Sequence, residues 1–349
     1  MFIRNSWYTA AWAHEVGETP LARRILNEPV VLFRDRDGTV AALRDSCCHR
    51  GAPLSGGKVV DGGIECGYHG LVFDCSGTCV HIPGQESIPK RARVPSYAVI
   101  EKDKMIWIWM GDPKLADVSQ ILSYPYHNSA EQWPHKMGIF HVKASYMLLV
   151  DNLMDLTHVG YVHTSTLGGT VPTIHTEAKM EVESEDTGLR FTRWMLNSAP
   201  PPTFAKAYPF KGNVDRWQHF RFVAPGHIVQ HSGAKDVGTG ATEGDLTGGF
   251  SARLFHALTP ETETSCHYFW SVANDFQPDD PRTTQLLFDQ LAEAFNEDKC
   301  TIEGQQERLT ELGQEFLVDI VSDRARISMR RTVDRMLERE KGSAPGIPS

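Results

Sequence analysis

The sequence contains no long hydrophobic run and no excess of basic residues. Its most apolar stretches, YMLLV and MIWIWM, are far shorter than the roughly 20 residues that a membrane-spanning helix needs. The formal net charge of −9 gives no electrostatic support for binding nucleic acid. We therefore expect neither a membrane protein nor a nucleic-acid-binding protein.

Other signals are also missing. The amino-terminal stretch MFIRNSWYTAAWAHEV has no apolar core of the kind found in a signal peptide. No G-x-G-x-x-G follows a predicted strand, so we expect that the chain does not bind a nicotinamide cofactor itself. The seven cysteines are odd in number and five of them cluster between residues 47 and 79. This pattern favours metal binding in a reduced cytoplasm over a disulfide framework.

The length of 349 residues allows two domains. Residues 1–112 form short hairpin patterns with polar turns, in PVVLFRDRDGTVAALRD, GLVFDCSGTCVHI and YAVIEKDKMIWIWMGDP. Residues 113–349 contain a long amphipathic helix at 283–310 and strand-like stretches at 178–196, 216–231 and 249–272. The predicted fold is α+β: an all-β domain, followed by a domain in which an antiparallel sheet packs against helices.

A first motif lies in SCCHRGAPLSGGKVVDGGIECGYHG, where Cys47-x-His49 and Cys66-x-x-His69 are separated by 16 residues. Thiolate and imidazole ligands suit tetrahedral zinc or an iron–sulfur cluster. A zinc finger usually keeps its cysteines together and its histidines together, whereas each loop here carries one of each. This arrangement favours a [2Fe–2S] cluster with two cysteines on one iron and two histidines on the other.

A second motif, DNLMDLTHVGYVH, places Asp155, His158 and His163 close together, with Asn152 one turn earlier. Two histidines and a carboxylate can hold a mononuclear iron with open coordination positions. Asp155 lies three residues before His158, which predicts one helical face for both. The alternatives are a surface helix whose polar residues only contact water, or a pair of core histidines whose hydrogen bonds are satisfied within the protein.

The remaining carboxylate ligand has to come from another segment. In the helix predicted at 283–310, Asp298 lies within about 20° of the apolar stripe that contains Leu287 and Leu291, whereas Glu297 points well away. A lone aspartate on an apolar face is costly unless it is paired or bound to metal. Asp298 is therefore the candidate ligand, and an aspartate at the edge of the stripe is the alternative.

These motifs, together with RNSWYTAAW, VHIPGQ, IWIWMGDP and FNEDK, resemble the oxygenase components of Rieske non-haem iron monooxygenases. The group with vanillate O-demethylase, toluenesulfonate methyl-monooxygenase and dicamba O-demethylase is the most similar. The resemblance implies a helix-grip catalytic domain. It also implies that Cys47, His49, Cys66 and His69 hold the cluster and that His158, His163 and Asp298 hold iron.

The resemblance further implies homotrimers, in which His69 of one subunit reaches Asp155 of the next, and a separate NAD(P)H-dependent flavin/[2Fe–2S] reductase. O₂ is the expected co-substrate. Comparison with dicamba O-demethylase places Gln230 and His256 at substrate-contacting positions. Either side chain could donate to a carboxylate or sulfonate, and His256 could do so in its charged form. The alternative is that His256 only packs within a strand.

The expected reaction is hydroxylation of a methoxy or methyl carbon of an aromatic acid. The first choice is O-demethylation of a vanillate-like methoxybenzoate, which releases formaldehyde, and the second is methyl hydroxylation of a toluenesulfonate- or toluate-type substrate. A ring cis-dihydroxylating dioxygenase would use the same centres. An electron carrier or a zinc-stabilised binding module would not need the second iron site.

Overall fold

The computed structural model of the chain describes residues 1–314 and 317–343. Two compact units are present: Met1–Ser123 with Thr259–Glu263, and the remainder from Tyr124 onward. The domain boundary that we predicted at residue 112 comes before two short 3₁₀ turns that belong to the first unit. The end of the predicted second domain, residues 344–349, lies outside the described residues.

The first unit contains two antiparallel sheets. Their strands are β1 (Trp7–Trp12), β2 (Leu21–Ile25), β3 (Glu28–Arg34), β4 (Val40–Arg44), β5 (Lys58–Val60), β6 (Gly63–Glu65), β7 (Val72–Phe73), β8 (Cys79–His81), β9 (Ser96–Lys102) and β10 (Met105–Trp109). The larger sheet has the order β1-β10-β9-β4-β3-β2, and the smaller has the order β5-β6-β7-β8. The hairpins predicted at β3–β4, β7–β8 and β9–β10 are confirmed.

Two apolar clusters form the core of the first unit. One lies on the larger sheet around Tyr8, Leu32 and Ile106. The other is built by Leu54, Ile64 and Phe73 and includes the thiols of the two predicted cluster cysteines. Both cysteines are therefore packed into this apolar cluster, although they lie in loops.

The second unit is built around a seven-stranded antiparallel sheet. Its elements are β11 (His135–Val142), α1 (Tyr146–Met154), α2 (Val159–Val162), α3 (Thr173–Glu177), β12 (Lys179–Glu185), β13 (Gly188–Ser198), α4 (Pro202–Ala207), β14 (Val214–Val223), β15 (His227–Asp236), β16 (Phe250–Thr262), β17 (Ser265–Asn274), α5 (Pro281–Leu312) and α6 (Arg324–Ser343). The strand order is β11-β17-β16-β15-β14-β13-β12. Each of the three predicted strand-like stretches is a pair of adjacent strands.

Helix α5 runs across the sheet and carries the predicted carboxylate ligand. The Asp280 side chain caps its first turn with Pro281 at the first position, and Gly313, with φ +77°, ends it. Its buried stripe includes Leu287, Leu291 and Asp298, and it contacts β11 and β17. No helix among the described residues is long and apolar enough to cross a membrane.

Candidate metal centres and substrate pocket

The first candidate centre consists of two loops, residues 47–52 and 66–71, with matching backbone geometry. In each loop the cysteine amide donates to the carbonyl five residues later, and the amide four residues later donates to the cysteine carbonyl, at 2.8 to 3.0 Å. Gly51 and Gly70 occupy that fourth position with φ of +71° and +73°. Glycine adopts this backbone conformation at little cost, and other residues rarely do. The two glycines thus allow the same tight turn to occur twice.

The thiols and imidazoles of these loops lie at different depths. Cys47 and Cys66 are 3% and 1% exposed, whereas His49 and His69 are exposed, with ring centroids 4.5 Å apart. A Rieske cluster requires two thiolates on one iron and two imidazoles on the other. The donor set fits such a cluster, with its thiolate end inward and its imidazole end at the surface.

Burial raises the pKa of the Cys47 thiol to about 11, and the nearby Cys66 thiol adds to this effect. Metal binding to these residues therefore has to displace protons, because the thiolate is the ligand. The Cys75 thiol donates to the Asp35 carboxylate at 3.5 Å. The Cys79 thiol donates to the His81 carbonyl at 3.4 Å. Both contacts agree with a structural role for these two cysteines.

The second candidate centre lies in the second unit, where His158, His163 and Asp298 converge. One possible ligand atom from each residue lies within 4.8 Å of the other two. Asp298 Oδ1 is 3.4 Å from His158 Nε2 and 3.1 Å from His163 Nε2. Asp298 is 5% exposed and His163 is 1% exposed. Two imidazoles and one carboxylate fit a non-haem iron that keeps open positions.

The charges at this centre suit a cation. Burial disfavours the ionised Asp298 carboxylate, but hydrogen bonds from His158 and His163 outweigh burial and lower its pKa to about 2. Burial also disfavours a protonated His163, yet the Asp298 and Glu297 carboxylates raise the pKa of this ring. Asp298 is therefore ionised at neutral pH, which is the form that binds a metal.

Helix α1 ends at Met154, four residues before the first histidine. Asp155 has extended backbone angles (φ −124°, ψ 101°) and precedes a 3₁₀ turn at Leu156–His158. Our prediction that Asp155 and His158 share one helical face is wrong, because the helix is interrupted between them. Instead, His158 Nδ1 donates to the Asp155 carbonyl at 2.6 Å, which leaves Nε2 available to a metal. The Asp155 carboxylate accepts from the Thr157 amide and hydroxyl at 3.0 and 2.7 Å.

Sequence reasoning missed Glu297, which we expected to point away from the site. The His163 Nδ1–H donates to Glu297 Oε2 at 2.7 Å. The expectation was wrong because it considered only the apolar stripe of α5. His163 comes from a different segment and contacts α5 beside that stripe, where Glu297 lies. This bond sets the tautomer of the ring and directs Nε2 toward Asp298. The adjacent carboxylates in FNEDK were the available signal.

Asn152 lies on the last turn of α1 and contacts two of the three predicted ligands. Its Nδ2 donates to Asp298 Oδ1 at 3.1 Å and lies 3.4 Å from His158 Nε2. An amide donor in this position orients the carboxylate. The structure therefore brings the predicted Asn152 together with the predicted iron ligands.

A pocket opens beside these ligands, with an empty volume of about 730 Å³ that includes its mouth. One wall is a face of strands β14 to β16, and another is α5. The apolar lining includes Phe220, Leu254, Leu287, Leu291 and Phe295. An aromatic ring fits the chemistry of these walls.

Gln230 lines the pocket, whereas His256 lies behind it and is fully buried. His256 Nε2 is 3.2 Å from Gln230 Oε1, and His256 Nδ1 is 2.8 Å from the Tyr268 hydroxyl. Gln230 Nε2 donates to Ser232 Oγ at 2.6 Å. Burial lowers the pKa of His256 to about 3, so the ring is neutral at pH 7. The structure therefore places His256 as a support for Gln230 rather than as a charged group in the pocket.

Two family models match the chain in the order of the two candidate centres. The Rieske [2Fe-2S] domain model matches residues 6–98, and the vanillate O-demethylase oxygenase C-terminal domain model matches residues 142–339. The chain belongs to the vanillate O-demethylase family of Rieske oxygenase components. The predicted fold, an all-β Rieske domain followed by an α+β catalytic domain, is confirmed.

Curated relatives in this family match almost the whole chain. The toluene-4-sulfonate monooxygenase system iron-sulfur subunit of Comamonas testosteroni is 41% identical over 98% of this chain and 99% of its own length. The vanillate O-demethylase oxygenase subunit of a Pseudomonas species is 36% identical, covering 99% of this chain and 97% of that protein. The relatives are thus subunits of oxygenase systems.

Solved structures agree with this assignment. Dicamba monooxygenase bound to dicamba matches with a TM-score of 0.90 and 36% identity, covering 98% of this chain and 99% of that chain. Another structure of the same enzyme contains non-haem iron and dicamba (TM-score 0.81, 32% identity). The present chain is therefore an oxidoreductase, a Rieske oxygenase component with a [2Fe–2S] cluster and a mononuclear iron as cofactors. It uses O₂ and electrons from a separate reductase.

A further pocket residue that sequence reasoning missed is Arg216 of β14, which lines the pocket and is 3% exposed. The signal was present in VDRWQHFRFV, because Arg216, Phe220 and Phe222 share the same parity along the strand. The two phenylalanines mark the buried face, and Arg216 therefore lies on it too. A buried arginine on the core face of a strand is unusual unless it has a partner.

Proposed function

We propose that this protein is the terminal oxygenase component of a two-component monooxygenase that hydroxylates a methoxy or methyl carbon of an aromatic acid. The convergence of His158, His163 and Asp298 beside an apolar pocket carries the proposal. The main candidate reaction is O-demethylation of a vanillate-like methoxybenzoate. Hydroxylation of the methoxy carbon gives a hemiacetal, which breaks down to a phenol and formaldehyde.

We assign the [2Fe–2S] cluster to Cys47, His49, Cys66 and His69, and the mononuclear iron to His158, His163 and Asp298. Bound at these positions, the cluster supplies single electrons and the iron supplies O₂ activation. The protein contributes orientation: the Asp155 carbonyl and the Glu297 carboxylate hold the two iron-site imidazoles by their Nδ1 atoms. The apolar pocket walls exclude water from the reacting carbon.

We infer that the enzyme is a homotrimer in which His69 of one subunit contacts Asp155 of the next. The location of Asp155 supports this route, since its carbonyl holds His158 within the same chain. The His158 ring donates to the Asp155 carbonyl and the Asp155 carboxylate accepts from Thr157, so a hydrogen bond from His69 to this carboxylate would link the two metal centres through one residue. The electrons would come from an NAD(P)H-dependent flavin/[2Fe–2S] reductase.

Mixed subunits test this route. A Cys66→Ser chain lacks the cluster and an Asp298→Ala chain lacks the iron, so neither homotrimer should turn over substrate. Co-folded mixtures should regain activity if electrons pass between subunits. A mixture that stays inactive, while light scattering shows mixed trimers with both metals, would contradict the intersubunit route.

The function itself is tested by formaldehyde release from the metal-loaded enzyme with NADH and a surrogate reductase. The panel should contain vanillate, other methoxybenzoates and methylbenzenesulfonates. Formaldehyde from a methoxy acid establishes an O-demethylase. The absence of any oxidised product from the whole panel, with both metals present, would refute the proposed function.

The second candidate reaction is hydroxylation of a ring methyl group. It is favoured by the 41% identity to a toluene-4-sulfonate monooxygenase subunit. The same iron chemistry would serve, but the product would be a stable alcohol, without formaldehyde. A hydroxymethyl product from toluene-4-sulfonate in the same panel identifies this reaction.

We also infer that the protein acts in the cytoplasm. None of the seven cysteines is in a disulfide, which agrees with a reducing compartment. Fractionation of cells with an antibody against the protein tests the location.

A further inference from the structure

The pocket is lined by a buried arginine, Arg216. Arg216 is 3% exposed, and its Nε atom has no hydrogen-bond acceptor among the described residues. No carboxylate in the described part of the chain forms an ion pair with it. Its Cζ atom lies 5.4 Å from the centroid of the Phe204 ring. A desolvated charge without a partner is costly, so a missing partner is expected.

The surroundings of Arg216 add positive charge rather than neutralise it. Arg193, on the adjacent strand and one row along the sheet, faces the same side. Its Nη1 donates to Gln218 Oε1 at 3.0 Å, and its other terminal nitrogen donates to the His175 carbonyl. Burial lowers the pKa of Arg216 to about 9, and Arg193 contributes to this shift. The guanidinium is therefore still charged at neutral pH, in a region that favours an anion.

Arg216 is the single arginine or lysine among the described residues that line the pocket. On the same face of the sheet, the next cross-strand pair along β14 and β15 is Gln218 with Ser232, and the pair after it contains Gln230. The side chains of these three residues are neutral hydrogen-bond donors and acceptors. His256, which lies behind Gln230, is also uncharged and adds no positive charge. The pocket therefore offers one full positive charge apart from the metal centre, with apolar walls for a ring.

We propose that Arg216 is the residue that recognises the acid group of the substrate, forming a charge-assisted pair with an aryl carboxylate or sulfonate. This inference rests on the proposed function, since it concerns the same pocket, and it identifies the group that selects aromatic acids over neutral aromatics. The planar guanidinium suits either oxyanion. The Ser232 hydroxyl, which accepts from Gln230, can donate its own proton to the same ligand.

The test is equilibrium binding to the metal-loaded enzyme under anaerobic conditions, where no turnover occurs. Calorimetry should compare 4-methoxybenzoate and toluene-4-sulfonate with the neutral 4-methoxybenzamide. Arg216→Gln should raise the Kd of both acids by about 30-fold or more, as truncation of one member of a buried charge pair does. The Kd of the amide should change less than about threefold. The Kd of the acids for Arg216→Lys should lie between those of the wild type and Arg216→Gln, because lysine keeps the charge but lacks the planar pair of guanidinium donors.

Arg221→Gln is the matched control. Arg221 lies on the same strand but on the opposite face, in a half-buried ion pair with Glu185, so its loss should leave all three Kd values unchanged. Acid affinity of Arg216→Gln within twofold of the wild type would overturn the proposal.

A stability measurement keeps the proposal testable independently of catalysis. Arg216→Met removes a buried unpaired charge and should raise the melting temperature of the ligand-free protein. The acids should raise the melting temperature of the wild type but not that of this variant. Equal stabilisation of both proteins by the acids would also overturn the proposal.

The outcomes separate this inference from the proposed function. Oxidation of a methoxy or methyl acid by the wild type, with unchanged acid affinity in Arg216→Gln, would refute the role of Arg216 alone. A wild-type enzyme that binds none of the acids would refute the aromatic-acid substrate class and the role of Arg216 together.

Discussion

The two candidate metal centres are built in different ways. In the first unit, all four donors come from two short loops with the same backbone hydrogen bonds, and the histidines are exposed. In the second unit, the donors come from residues 158–163 and from position 298. Asp298 and His163 are held by side chains from other segments, and His158 is held by the nearby Asp155 carbonyl. A site made of local turns can be recognised from spacing, whereas a site made by packing depends on which elements meet.

The largest effect that distinguishes the two centres is expected from removing one cysteine thiol of the first centre. Cys66→Ser should abolish the cluster and all turnover, because an [2Fe–2S] centre needs both cysteines. Total iron should fall from about three to about one per chain, with loss of acid-labile sulfide and of the visible spectrum. Cys75→Ser is the control and should keep full cluster content. A normal visible spectrum in Cys66→Ser would disprove the ligand assignment.

Removal of the carboxylate ligand at the second centre should have the opposite effect on metal content: the mononuclear iron is lost and the cluster is kept. Asp298→Ala should lose the mononuclear iron and all turnover but keep the cluster spectrum, since the two sites share no ligand. Iron analysis should give about two irons and two sulfides per chain. Asp289→Asn changes an exposed carboxylate on the same helix and should change neither value. Retention of all three irons by Asp298→Ala would refute the assignment.

Asp155→Asn should separate electron transfer from metal binding. An asparagine oxygen can still accept from the Thr157 amide and hydroxyl, so the local fold should persist. Both metals should remain, while single-turnover oxidation of the cluster should slow by more than about 100-fold, because the bridging negative charge is lost. Thr157→Val keeps the carboxylate and should transfer electrons at nearly the wild-type rate. Loss of the cluster colour in Asp155→Asn would show that its role is structural.

The smallest expected effect comes from Glu297, which contacts a ligand but not the metal. Glu297→Ala should weaken iron binding by about 10- to 100-fold, as loss of such partners does. Glu297→Gln should weaken it less, since its oxygen can still accept from His163 Nδ1. Competition with a chelator measures both affinities, and Glu293→Gln, exposed one turn earlier, is the control. Equal affinity in Glu297→Ala and the wild type would exclude a positioning role.

The local elements of the fold were largely predictable. The hairpins at β3–β4, β7–β8 and β9–β10 follow from alternating apolar residues and polar turns. Helix α5 was predicted at 283–310 and runs over Pro281–Leu312. The burial of Asp298 also followed from the periodicity of that helix. All of these signals depend on residues close together in the chain.

Other features depended on how separate segments meet. The break at Asp155 was missed because two local contacts compete with a continuous helix: the Asp155 side chain caps the Thr157 amide, and His158 donates to the Asp155 carbonyl. The orientation of Glu297 was predicted wrongly because the periodicity of α5 only shows which side chains face the apolar core. It cannot show that His163, from another element, contacts a different face of the helix. For His256, strand position did not distinguish a pocket residue from the layer behind it.

By itself, the sequence determined the two-part organisation, the paired Cys and His loops and the identity of the three residues that converge in the second unit. These features are encoded by short spacings and by the periodicity of single elements. The tertiary structure alone decided the partner of each imidazole, the neutral state of His256 and the unpaired guanidinium of Arg216 beside the pocket. Burial and charge compensation depend on neighbours that are distant in the chain, and only folding brings those neighbours together.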